Sequence, residues 1–140
     1  MGRIVGIDFG TVRVGVAISD ERRIIATALT TVKAARNYAE TAQRIKETLL
    51  PYKEIDLIVI GLPLMLSGKE GEMSQFVRAF AKALEATLAL PIVFWDERLT
   101  SCGVEKMLLG FDVSRKKRAS LSDALSAISI LQNYLDSLRS

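Results

Sequence analysis

Three apolar, β-branched runs, residues 3–9, 14–19 and 24–32, follow one another with only residues 10–13 and 20–23 between them. Gaps that short cannot carry a crossover, so the runs are predicted to pair as antiparallel hairpins. The pattern then changes. Tyr38, Ala42, Ile45 and Leu49 recur at helical spacing ahead of Pro51. Residues 55–62 are aliphatic on both faces, as in a covered parallel strand, and Pro63 closes them. A loop over 64–71, with Gly68 and Gly71, leads to a helix whose apolar face carries Met73, Phe76, Val77, Phe80 and Leu84. Residues 91–95 form a fifth predicted strand, with Asp96, Glu97 and Arg98 at its C-terminal end. Thr100 or Ser101 would cap a short helix to Leu109, and 110–119 is expected as a polar, basic loop. The last helix is expected from about Ser120, with Leu121, Leu125, Ile128, Leu131, Leu135 and Leu138 on its stripe. Right-handed crossovers would set the helix-linked strands beside the first. The expected architecture is one α/β domain over residues 1–140. It has a five-stranded mixed sheet, its first three strands antiparallel, and helices on both faces. A chain of 140 residues buries enough surface to need no covalent staple.

The first strand holds an anomaly. Asp8 stands inside Gly6-Ile7-Asp8-Phe9-Gly10-Thr11-Val12-Arg13-Val14-Gly15, where its neighbours demand burial. A buried carboxylate is costly unless something pairs with it, and a hard cation such as Mg²⁺ prefers oxygen ligands. A turn cap or a salt bridge to Arg13 is the alternative, but the mid-strand position favours a metal ligand. Ligands of open α/β sheets gather beyond the carboxyl ends of strands, which would bring Asp8 and the pair Asp96-Glu97 together near the sheet centre. Adjacent side chains of an extended chain point to opposite faces. Only one of the two is then expected to face the metal, the other serving as a supporting acid, and Glu97 could instead pair with Arg98 or solvent. Asp123 stays open between two roles, because Ser120-x-x-Asp123 is also a helix capping box. Arg13 would contact phosphate or Asp8; Arg98 would stabilise charge in the transition state or hold Glu97. Gly61-Leu62-Pro63-Leu64 would floor the cleft.

Composition excludes several chemistries. The chain has no histidine, so Ser-His and Cys-His nucleophiles and His-rich metal sites are impossible. Cys102 is the single cysteine, so neither an intramolecular disulfide nor a cysteine-rich zinc site can form, and a reducing compartment is expected. The net charge of +3 points only weakly to a polyanionic partner. Arg115, Lys116, Lys117 and Arg118 concentrate that charge, as a solvated loop or as a surface for a nucleic-acid backbone. No apolar run approaches the ~20 residues of a membrane span and no signal-peptide layout opens the sequence, so a cytoplasmic protein with no membrane partner is expected.

Asp8-x-Gly10-x-x-Arg13-x-Gly15, Gly61-Leu62-Pro63-Leu64, Asp96-Glu97-Arg98-Leu99-Thr100 and Asp123, in that order, resemble the YqgF family, also called RuvX. The resemblance spans essentially the whole chain. It departs from the family at Ser101, where a second threonine is common, and in the less usual surroundings of Asp123. The resemblance implies a ribonuclease H-like fold and metal-dependent phosphodiester cleavage. Asp8, Glu97 and Asp123 would then be the catalytic ligands of Mg²⁺ or Mn²⁺, Glu97 being preferred on that resemblance and Asp96 kept as a supporting acid. Arg13, Arg98, Arg115, Lys116, Lys117 and Arg118 would be placed against substrate. It further implies 5′-end maturation of pre-16S rRNA in ribosome biogenesis, with the small ribosomal subunit as a partner. A four-way DNA junction is the alternative substrate. A monomer or a homodimer is expected; because symmetric cleavage of a junction needs two active sites, a dimer would favour that alternative and a monomer would count against it. Two other classes compete. Asp8-x-Gly10-Thr11 also resembles the phosphate loop of actin-like and sugar-kinase proteins, but those need two lobes to enclose ATP. A catalytically silent RNA-binding scaffold would keep the basic cluster without cleavage.

Overall fold

The two short gaps do make hairpins. In the structure, a computed structural model that describes residues 2–97 and 115–139 (the side chains of 115–121 excepted), the elements are β1 (Arg3–Phe9), β2 (Arg13–Ser19), β3 (Ala26–Lys33), α1 (Tyr38–Leu49), β4 (Ile55–Leu62), α2 (Glu72–Leu88), β5 (Ile92–Asp96) and α3 (Arg115–Ser137). One mixed sheet runs β3-β2-β1-β4-β5. β1 is antiparallel to β2, and β2 to β3, while β4 lies parallel to both β1 and β5. Alternation along each strand divides the apolar side chains between two layers. Val5, Ile7, Phe9, Val14, Val16, Ile58, Ile60 and Leu62 pack beneath α1 and α2. Ile4, Ala17 and Val59 meet Ala127, Ile130, Leu131 and Leu135 of α3 on the opposite face.

Local chemistry explains the element boundaries. Asn37 caps α1, its Oδ1 accepting the Glu40 N–H at 2.8 Å. The buried Ser74 hydroxyl, in the first turn of α2, donates to the Pro63 carbonyl and ties the exit of β4 to that helix. The Asp20 carboxylate accepts the N–H groups of Ile24 and Ile25 at 2.7 and 2.9 Å, drawing both into the turn. That is why β3 begins at Ala26, two residues after its expected start, and why Ile24 and Ile25 are exposed.

Three further expectations are corrected. The basic cluster is not loop: α3 already includes Arg115, Lys116, Lys117 and Arg118. Arginine and lysine are good helix formers, and nothing after Gly110 breaks a helix, so intrinsic propensity prevails over the loop-like look of a charge cluster. Ser120 consequently lies inside the helix, which removes the capping-box alternative for Asp123. The apolar stripes are also rotated from expectation. In α2, Val77, Phe80 and Leu84 are buried as expected and are joined by Ser74 and Ala81, but Met73 and Phe76 are more than one-third exposed. α3 buries Ala127, Ile130, Leu131 and Leu135, while Leu138 lies exposed beyond its end. The short helix expected from Thr100 or Ser101 to Leu109 lies outside the described residues. No described helix is long and apolar enough to cross a membrane.

Candidate active site

The site forms where α3 comes closest to the sheet, and two glycines make that approach possible. Hairpin register sets Gly15 of β2 directly opposite Asp8 of β1. A Cβ on Gly15 would collide with the backbone carbonyl of Asp123, so only glycine lets this turn of α3 settle beside Asp8. Gly61 serves the other side. A Cβ there would stand 2.6 Å from Oε1 of Glu97 and 2.5 Å from Cδ1 of Ile130. Gly61 is thus the floor beneath the Glu97 carboxylate, as its place in the sequence motif led one to expect.

Strand alternation supplies the third element. Trp95 is the register partner of Gly61 and packs against the α3-side core, edge-on to Tyr134 at 5.6 Å. Two residues on, Glu97 reaches the same side as Asp8. Asp96 is the register partner of Leu62, one step out of phase, and acts on Glu97 through its charge.

Burial and crowding then set the protonation states. Burial raises the pKa of Asp8, the hydrogen bond from Glu97 lowers it, and the negative charge of Asp123 raises it. Glu97 is pushed up to about 8, first by burial, then by the charge of Asp8 and by the proton it donates to Asp8, and finally by Asp96. Burial and the neighbouring charges thus favour a proton on Glu97 at neutral pH, in its hydrogen bond to Asp8. Asp123 stands within electrostatic reach of Asp8 but is held separately: Nε of Arg13 donates to its Oδ2 at 2.6 Å. The sequence offered Asp8 as the partner of Arg13, whereas the observed partner is 110 residues away in the chain. Both groups of this pair stay partly accessible, with Arg13 40% and Asp123 24% exposed.

Among the described residues no three acidic side chains stand in metal-holding geometry. The arrangement is a hydrogen-bonded pair, Asp8 and Glu97, with Asp123 to one side on Arg13. Arg98 and Thr100 lie outside the described residues, as do the side chains of Arg115, Lys116, Lys117 and Arg118. The α3 backbone places Arg115 eight residues before Asp123, about 12 Å along the helix axis. The role of Gly15 was missed from the sequence. Counting back evenly from the 10–13 turn would have set it opposite Asp8.

The RuvX family model, described as Holliday junction resolvase, matches residues 2–137. The chain belongs to the RuvX family. A relative from Protochlamydia amoebophila is 46% identical over 140 residues, covering 96% of this chain and 93% of its own. One from Bacillus subtilis is 45% identical over 139 residues, covering 97% and 99%. The names of both propose a pre-16S rRNA nuclease. Among solved structures, T. thermophilus RuvC in complex with a Holliday junction substrate matches with a TM-score of 0.58 at 17% identity, covering 100% of this chain and 97% of that one. The Fowlpox virus resolvase in complex with Holliday junction DNA matches at 0.59 and 11% identity, covering 99% of each chain. Likenesses at such low identity establish the fold, which is ribonuclease H-like, as the motifs of this RuvX chain implied.

Proposed function

We infer that the chain is a metal-dependent nuclease that hydrolyses phosphodiester bonds, acting in maturation of the 5′ end of pre-16S rRNA. The observation that carries this reading is the Asp8–Glu97 pair. Two carboxylates from distant parts of the chain are hydrogen-bonded to each other at the end of the sheet, and burial raises the pKa of both. A hard divalent cation, Mg²⁺ or Mn²⁺, fits that oxygen-only donor set better than a proton does, and such an ion commonly takes only one or two protein carboxylates. Asp8 and Glu97 would hold it, with Asp123 completing the ligand set once its carboxylate is shared with or released by Arg13. Divalent ions bound there would lower the pKa of an attacking water and stabilise the leaving oxygen.

The protein's own groups do the rest. Arg13 uses Nε on Asp123, which leaves its other guanidinium N–H donors for a phosphate oxygen, a geometry arginine suits. Arg98 and the run Arg115, Lys116, Lys117 and Arg118 are proposed to meet the nucleic-acid backbone. Precursor rRNA is the proposed substrate, in the setting of the small ribosomal subunit. It is favoured over a four-way DNA junction by the names that the nearly half-identical relatives carry. The test is cleavage of a 5′-extended 16S precursor with Mg²⁺ or Mn²⁺. Asp8→Asn should lower the rate by more than about a hundredfold with folding intact. Equal activity in that variant would end the reading, and cleavage of junction DNA in place of the precursor would reassign the substrate.

A further inference from the structure

At the same end of the sheet as the carboxylates, but on the opposite face, the molecule carries a cavity that the function above does not use. It measures about 420 Å³, within the range of small-ligand sites, and its walls include Phe9, Tyr38 and Phe76 together with Thr11, Arg36 and Asn37. Phe9 follows Asp8 directly on β1, so adjacent residues of one strand supply the cavity wall and a member of the acid pair. The turn over 10–13 lies between the two. The Ala34 N–H donates to the Val12 carbonyl at 2.9 Å and fixes the cavity's far wall to that turn.

The walls are built for a flat ring. Phe9 is immobilised by stacking on Phe80 at 4.5 Å, with Tyr38 edge-on to both. Phe76, opposite on α2, is 38% exposed, an aromatic face that the core does not consume. Polar groups suit the edge of a base. Asn37 uses Oδ1 to cap α1, and its amide N–H groups remain for an acceptor. A cation stands at the approach. The Arg36 side chain, which lines the cavity, is 90% exposed. Its 3.4 Å pair with Glu40 is the kind of exposed contact that a phosphate can displace at little cost.

We propose that this cavity binds a nucleobase of single-stranded substrate, on a nucleotide flanking the phosphate held at Asp8 and Glu97. The strand would pass from Arg13 over the 10–13 turn to Arg36, and its base would lie against Phe76 and the Phe9–Tyr38 wall. Stacking tolerates any base, so the subsite would grip the strand without selecting its sequence. Its direction relative to the scissile bond rests on the nuclease reading; base binding itself does not.

The test is equilibrium binding, in EDTA, of a short fluorescent single-stranded RNA and of the same RNA made abasic. The wild-type protein should bind the intact RNA about tenfold more tightly. Phe76→Ala should abolish that preference, and so should Phe76→Leu, which keeps apolar bulk without a π-face. Arg36→Ala should weaken both RNAs and preserve the preference. NMR titration with adenosine monophosphate should move the resonances of Thr11, Tyr38 and Phe76. Equal binding of intact and abasic RNA by the wild type, or a preference that survives in both Phe76 variants, would overturn the proposal. Failure of the nuclease reading looks different: no cleavage with any divalent ion while the base preference remains.

Discussion

On one face of the sheet, α1 and α2 rest on large side chains such as Ile7, Phe9, Val16, Ile60 and Leu62. On the other, α3 packs on Ile4, Ala17 and Val59, but beside the acids it lies over Gly15 and Gly61, which offer it no side chain at all. The first face is an ordinary hydrophobic interlayer, and its burial is where most of the favourable folding energy arises. The second sacrifices that burial for proximity. Removing side chains from β2 and β4 lets a helix backbone and a glutamate come close to Asp8, and the acids gathered there repel one another. What distinguishes the faces is residue size at positions in register with Asp8 and Trp95. The sheet is asymmetric because one side stabilises the fold and the other accommodates charge that the fold would otherwise avoid.

The largest effect should come from damaging the first face. Leu84→Ala, at a fully buried position of α2, should cost about 2–5 kcal/mol in urea unfolding. Cleavage per folded molecule should change little, and a parallel loss of activity would show that the two faces are not independent. A smaller stability effect with a larger functional one is expected on the second face. Gly15→Ala should cost about 1–3 kcal/mol by forcing α3 away from β2, and should depress cleavage well beyond that loss of folded protein. Unchanged activity in folded Gly15→Ala would mean that the close approach of Asp123 is dispensable.

A change of pH alone, with no substitution, sharpens the comparison further. In metal-free protein Glu97 keeps its proton up to about 8, whereas the unfolded chain releases it near the ordinary value of 4.5. Between these values the folded state binds more protons, so stability should fall as the pH rises through that window, and the contribution is complete only below it. Glu97→Gln should flatten this part of the profile, as should saturating Mg²⁺. A profile identical in wild type and Glu97→Gln would show that the pair is not strained.

Much of this organisation was legible in the sequence, for reasons that can be named. Short gaps dictate hairpins, a dense aliphatic run dictates a covered strand, and an acid in a buried strand asks for a partner. The two-residue period of a strand showed that only one of Asp96 and Glu97 would face the site; the family resemblance chose Glu97, and the structure gives the Asp8 hydrogen bond to Glu97. The failures are equally physical. Arg13 was close to Asp8 along the chain, but its carboxylate partner comes from α3 and required the tertiary fold. The start of α3 was missed because clustered charge suggests a loop while each of its residues favours a helix. Phe76 sits at helical spacing with true core residues, yet it lies at the edge of the buried face of α2, 38% exposed beside the cavity. Spacing identifies a stripe; the packing of the helix decides which edge of it is buried.

The most direct test is a crystal grown at neutral pH and soaked in Mn²⁺, with anomalous scattering recorded. A peak bonded to carboxylate oxygens of both Asp8 and Glu97, with the proton between them displaced, is the predicted result. An empty map at that pair, or manganese confined to acids elsewhere on the surface, would contradict the assignment of this end of the sheet to metal-dependent cleavage.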